Sequence, residues 1–151
     1  MLRLGKKLLF AIEAVLDIAY NAGNLPVQSS EITGRQGIPR RYLEPVLQQL
    51  VRAGILAGVR GPRGGYRLAR ERRRITVGEI VRVVQALERS EDAIARDSGP
   101  EIGVKVVRPL WQELRNEVMT RLDQITIEEL CLRAHRAGVA GEFGNKLDFN
   151  I

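Results

Sequence analysis

One run of seventeen residues, Gly58 to Arg74, restricts what this chain can fold into more than any other feature. It reads GVRGPRGGYRLARERRR. Two segments of strand character, Ile55 to Arg60 and Tyr66 to Ala69, flank Gly61-Pro62-Arg63-Gly64-Gly65, and glycine supplies the positive φ values that tight turns need. A β-hairpin is expected there. Seven arginines stand in the run against one acid, Glu71, which suits the hairpin to a negatively charged partner.

What precedes the hairpin is helical. Leu8, Leu9, Ile12, Val15, Leu16 and Ala19 follow helical spacing and predict a core helix over residues 5–22, with Lys6, Glu13 and Asp17 on its outer side. Leu25-Pro26-Val27 is an extended link that could add an edge strand to the hairpin. Ser29 or Ser30 is expected to cap a short helix running to Thr33 or Arg35, with Glu31 in its first turn. Gly37-Ile38-Pro39 breaks the chain, and a second helix runs from about Arg40 to Ala53, with Leu43, Val46, Leu47 and Leu50 inward and Gly54 as its stop. A short helix, a glycine turn and a longer basic helix form a helix-turn-helix. With the hairpin added, the unit reads as a winged helix-turn-helix.

Beyond the wing, Thr76-Val77-Gly78-Glu79 is a capping box that opens a helix to about Leu87, burying Ile80, Val83, Val84 and Leu87. Residues 88–103 lack periodicity and read as a linker. The stripe Val104, Val107, Trp111, Leu114, Val118 and Leu122 then marks a helix of about twenty residues. Outside a small domain such a stripe needs a partner, and a second copy of the chain supplies one. Val107, Trp111, Leu114 and Val118 are therefore expected at a homodimer seam. The alternative folds the helix back on its own domain. A second capping box, Thr126 to Glu129, starts a short helix to about Ala134, and residues 136–151 form a tail in which Phe143, Phe149 and Ile151 are candidate anchors.

The expected fold is thus mainly α with a small β-hairpin wing: a winged helix-turn-helix domain over residues 1–87, a linker over 88–103, a dimerisation helix and short following helix over 104–135, and the tail. Charge divides along the same line. Residues 1–74 hold 14 lysines and arginines against 5 acids, a formal +9, while residues 75–151 hold 10 against 13, a formal −3. Between residues 35 and 74 all eleven cations are arginine, whose planar fork suits phosphate and guanine. No run approaches the ~18–20 apolar residues of a membrane helix, and a cytoplasmic protein is expected. Cys131 is the only cysteine and His135 the only histidine, so an intrachain disulfide and a multi-thiolate metal site are excluded. No carboxylate pair, nucleophile–base constellation or Walker ending argues for an enzyme.

Several motifs resemble the Rrf-type winged-helix transcription regulators. They are Ala11 to Ala19 with Leu16-Asp17, Tyr42-Leu43-Glu44, Leu47 to Leu50 leading to Arg52-Ala53-Gly54, Val59-Arg60-Gly61-Pro62 with Gly64-Gly65-Tyr66, and Ile75-Thr76, with a weaker echo in Trp111 and Ile125 to Leu130. The resemblance implies double-stranded DNA as partner. It implies Arg60 at the wing base entering a minor groove, with Arg41, Tyr42 and Glu44, beside Arg40, meeting bases or phosphates at the start of the recognition helix. Arg63 at the wing tip and Tyr66, which closes the wing motif, are taken with them. Ser29 and Ser30, at a helix N-terminus, suit phosphate better than base.

Two departures bear on this resemblance. Pro45 lies in the recognition helix, where it cannot bond the carbonyl of Arg41, so the helix is expected to begin late, near Glu44, or to kink. Cluster-binding relatives carry three cysteines after the post-wing helix, whereas Leu87 to Val107 contains none. No cofactor is therefore assigned, and the signal is expected from a small-molecule effector or a protein partner, with the space between wing domain and long helix as its place. The functional expectation is a dimeric, sequence-specific DNA-binding regulator that represses. The alternative is a winged-helix interaction module meeting an acidic protein.

Overall fold

The computed structural model describes residues 5–92 and 99–143. In order, the elements are α1 (Lys6–Asn21), α2 (Ser29–Gln36), α3 (Arg40–Arg52), β1 (Leu56–Val59), β2 (Gly65–Leu68), a 3₁₀ turn (Arg72–Arg74), α4 (Val77–Asp92), a π turn (Gly103–Val107) running into α5 (Arg108–Asp123), and α6 (Ile127–Arg136). It is a mainly α fold with one two-stranded antiparallel hairpin, Leu56 opposite Leu68 and Val59 opposite Gly65.

α1 is the centre, packed against α2, α3, α4, α6 and β2. Its buried face is Ala11, Ala14, Val15, Ile18 and Ala19, rotated from the expected stripe, and Leu9 is exposed. Helices crowd α1 on several sides, so close approach selects its small residues. The same crowding corrects Asp17: it faces inward and is 2% exposed, the buried charged side chain of the described core.

Gly37 at φ 66° ends α2 and makes the turn into α3. Ile38 inserts behind it at 0% exposure, and Leu43, Val46, Leu47 and Leu50 continue the buried stripe. The α4 capping box forms as expected: the Thr76 hydroxyl accepts from Glu79 N–H at 3.3 Å and the Glu79 carboxylate accepts from Thr76 N–H at 3.1 Å.

The C-terminal elements differ from expectation. α4 continues to Asp92 and helix resumes at Glu101, so both ends of the expected linker are helical; residues 93–98 lie outside the described residues. α6 joins the winged-helix core. Val77 N–H donates to Ile125 O and Ile127 N–H to Ile75 O, both at 2.9 Å, tying the start of α6 to the start of α4 and placing Ile127 and Cys131 at 0% exposure in that core. Phe143 is buried and stacks on Tyr20, centroids 5.6 Å apart; Phe149 and Ile151 lie outside the described residues. α5 is held mainly on α4, through a two-pronged Arg82–Asp123 pair at 2.6 Å and Arg115 donating to Gln85 at 2.9 Å. No described helix is long and apolar enough to cross a membrane.

Candidate nucleic-acid interface

The buried stripe of α3 turns Arg40, Arg41, Pro45, Gln48 and Arg52 outward, all exposed, with Glu44 half-buried. Pro39 is the N-cap, its carbonyl accepting from Tyr42 N–H at 3.0 Å and Leu43 N–H at 3.2 Å. The helix therefore begins at Arg40, and the expected late start near Glu44 is corrected. Pro45 sits on the exposed face beside exposed Arg41, and on such a face water can satisfy a carbonyl left without its helical partner, which lowers the cost of an interior proline.

The outward side chains of the first turn are propped by neighbours. Arg40 Nε donates to Glu44 Oε1 at 2.9 Å across one turn, with both side chains solvated. Such a pair contributes only about 0.3–0.5 kcal/mol, so either partner exchanges readily for a phosphate or base. The Arg41 guanidinium lies 4.7 Å from the Tyr42 ring centroid and donates to its hydroxyl at 3.1 Å. Tyr42 in turn rests on Phe10, centroids 6.0 Å apart. Phe10 and Gln48 belong to this face without having been marked by any motif. For Gln48 the inward spacing of Leu43, Val46, Leu47 and Leu50 was the available signal; for Phe10 there was none, because its contact is made across helices.

Ser29 and Ser30 are the first two residues of α2, and Gln28 is the N-cap, which corrects the expected serine cap. Glu31 accepts from Gln28 N–H at 2.7 Å and meets the backbone need, so neither serine hydroxyl has a hydrogen-bond partner among the described residues. Gln28, Ser29, Ser30, Thr33, Arg40, Gly64, Gly65 and Tyr66 line one cleft of about 450 Å³. Four of the expected DNA-contacting residues, Ser29, Ser30, Arg40 and Tyr66, thus come together from two helices and a strand.

The wing is fastened to this cleft. Val27 and Tyr66 exchange backbone hydrogen bonds at 2.9 and 2.7 Å, so the link before α2 adds a one-residue edge to the hairpin, as expected. Arg60 and Arg63 lie outside the cleft at the wing turn, exposed, and pair with no acid among the described residues. The remaining arginines divide. Arg70 is a structural clamp, donating to the carbonyls of Gly54 and Arg74 and, at 3.2 Å, to both oxygens of Glu79. Arg73 pairs with Glu71, and Arg72 lies 4.7 Å over the Phe143 ring. Arg67 and Arg74 are exposed.

The apolar stripe around α5 stays uncovered within one chain. Val107 is 54%, Trp111 36% and Leu114 38% exposed, Val118 is half-buried, and α5 has no buried residue. Ile102, Val106 and Leu110 extend the exposed patch. Cys131 is buried, and burial raises its thiol pKa against smaller opposing effects of Arg72.

Comparison with known proteins agrees with this fold. The family described as "Rrf2: Iron-dependent Transcriptional regulator" matches residues 4–133. The HTH-type transcriptional regulator IscR of Cronobacter sakazakii is 38% identical over 132 residues, covering 85% of this chain and 80% of that protein. IscR of Escherichia coli O1:K1 / APEC is 36% identical over 143 residues, covering 93% and 86%. Among solved structures, T. potens IscR superposes with a TM-score of 0.72 at 33% identity, over 92% of this chain and 93% of that one. CymR, the global cysteine regulator of B. subtilis, gives 0.69 at 29% identity, over 88% and 98%. With its winged helix-turn-helix and this family match along most of its length, the chain belongs to the Rrf2 family of DNA-binding transcriptional regulators.

Proposed function

We propose that the chain acts as a homodimer on a roughly two-fold symmetric DNA site and represses by occupying it. The observation that carries this reading is the convergence of Ser29, Ser30, Arg40 and Tyr66 on one cleft, with exposed Arg60 and Arg63 on the wing beside it. In this reading α3 enters the major groove, led by Arg41, Tyr42 and Glu44, while the serine hydroxyls and the N-terminus of α2 take phosphate. Arg60 enters the narrow groove beside it, where the negative potential is strongest. The exposed stripe Val107, Trp111, Leu114 and Val118 meets its copy, which sets the two recognition helices about one helical turn of DNA, or a multiple of it, apart.

The family description names iron, and the donor set here does not fit a cluster held by three thiolates. The sole cysteine, Cys131, is inside the core, and residues 87–107 contain neither cysteine nor histidine. The described residues include no group of three His, Cys, Asp or Glu placed to hold a metal ion. The signal in this reading is something other than a three-cysteine cluster.

The test is selection of bound fragments from genomic DNA, followed by fluorescence anisotropy over a salt series. A palindromic consensus bound with steep salt dependence is expected, because arginine–phosphate contacts release counterions. Salt-independent binding, or no enriched sequence, would overturn the reading. Transcription from an enriched promoter in a purified system should fall on adding the protein.

A further inference from the structure

α1 carries a second stripe, beside its small-residue face, that borders a cleft as well as the core. Glu13, Leu16, Asp17 and Tyr20 recur at steps of three and four residues on one face, and all four line a cleft of about 400 Å³ that also touches the last turn of α2 and the end of α6. Its floor is charged. Buried Asp17 accepts from Arg35 Nε at 2.9 Å, Arg35 Nη2 at 2.8 Å and Gln36 Nε2 at 2.7 Å. That side-on pair uses two of the five N–H groups of a guanidinium; the others have no partner among the described residues, and the Arg35 side chain is 37% exposed. Asp17 therefore holds Arg35 in one orientation while leaving its other donors open.

The opposite wall is small and apolar. Ala134 comes from α6, and Val139 and Ala140 from the segment after it. Gly138, at φ 80°, turns the chain back towards α1, and the Tyr20 hydroxyl donates to the Val139 carbonyl, pinning that wall in place. Glu13, at the other end of the stripe, is exposed and forms no ion pair among the described residues. An oriented cation, an apolar wall and an unpaired carboxylate meet around one space.

We propose that this cleft is an effector site for a small organic carboxylate with an apolar body. The carboxylate takes the open donors of Arg35, and the apolar part lies against Leu16, Ala134 and Val139; Glu13 receives an amino group where the ligand has one. Occupancy draws on Arg35 in the last turn of α2, the helix whose first turn lines the other cleft at Ser29 and Ser30. Ligand and DNA are then linked through one short helix. That linkage rests on the DNA-binding reading above; occupancy of the cleft does not.

The test uses the full chain and three probes of one carbon skeleton: 4-methylpentanoate, L-leucine and 3-methylbutylamine. Binding is followed by calorimetry and by amide chemical shifts, without DNA. Both carboxylates should bind saturably with a dissociation constant below about 10 mM, shifting Leu16, Arg35 and Val139, and the amine should not. Ala140→Phe, which fills the cleft from its exposed wall, should reduce carboxylate affinity at least tenfold while leaving the thermal midpoint near wild type. Asp17→Asn combined with Arg35→Gln keeps a hydrogen-bonded pair without buried charge and should lose binding as well. Failure of both carboxylates to saturate, equal binding of the amine, or undiminished binding in a folded Ala140→Phe variant would overturn the site. A DNA titration with and without 4-methylpentanoate then reads the linkage separately, expected as a several-fold change in affinity; no change would leave the cleft a binding site and overturn the linkage.

Discussion

Gly65 and Val27 approach so closely that a Cβ on Gly65 would lie 2.7 Å from the carbonyl carbon of Val27. The contact sits where Val27 and Tyr66 exchange their backbone hydrogen bonds, so glycine lets the wing dock on the helix-turn-helix. Gly65→Ala should cost about 2–4 kcal/mol by forcing that backbone apart, and should weaken DNA binding further by releasing the wing. Gly58→Ala, in the facing strand where an added Cβ meets nothing within 4 Å, should be nearly neutral. Urea denaturation of the two variants decides it.

The wing arginines should separate by role. Arg60→Ala and Arg63→Ala should each weaken DNA binding about tenfold or more, and reduce its salt dependence, without moving the thermal midpoint. Arg70→Ala should do the opposite, lowering the midpoint because it removes the clamp on Gly54, Arg74 and Glu79. Anisotropy and thermal melts on the same preparations read both effects. Unchanged DNA affinity in both Arg60→Ala and Arg63→Ala would remove the wing from recognition.

Asp17 makes a sharper stability prediction. Arg35→Ala leaves a carboxylate that is 2% exposed with only Gln36 as side-chain partner, and should cost about 3–5 kcal/mol. The Asp17→Asn, Arg35→Gln pair, which buries no charge, should cost distinctly less. A double-mutant cycle by denaturation measures the difference.

The α5 stripe predicts the assembly. Trp111→Glu together with Leu114→Glu places charge on residues already 36% and 38% exposed in one chain, so each subunit should stay folded while sedimentation shows a monomer. A persistent dimer would move the interface elsewhere.

Cys131 and Tyr20 predict the alkaline limb of stability. Burial raises the Cys131 thiol above its ordinary 9.0, and raises the Tyr20 hydroxyl above 10.0 with Cys131 as a second cause. The unfolded chain therefore loses these protons first. Stability from both groups is complete below about pH 9 and declines as pH rises through the raised values. Melts from pH 7 to 11 should show the decline, and Cys131 should resist iodoacetamide in the native protein but react fully in urea.

The elements that could be read from residue order alone are those governed by short-range chemistry. The stripe Leu43, Val46, Leu47 and Leu50, the Thr76–Glu79 box and the Gly61–Gly65 turn each depend on residues within a few positions of one another, so helix-turn-helix, wing and the cap of α4 were legible. The RGPRGGY run pointed to DNA for the same reason: its turn and its charge are local. Tertiary structure decided the rest through contacts between distant residues. Asp17 turned inward because Arg35 and Gln36, eighteen and nineteen residues on, complete its hydrogen bonds. Gln28 displaced the serines as cap of α2 and left their hydroxyls open to the cleft shared with Tyr66. α6 entered the core through Ile75 and Ile125, while α5, whose apolar spacing was as regular, stayed exposed. Periodicity states that a face must be covered; only packing states what covers it.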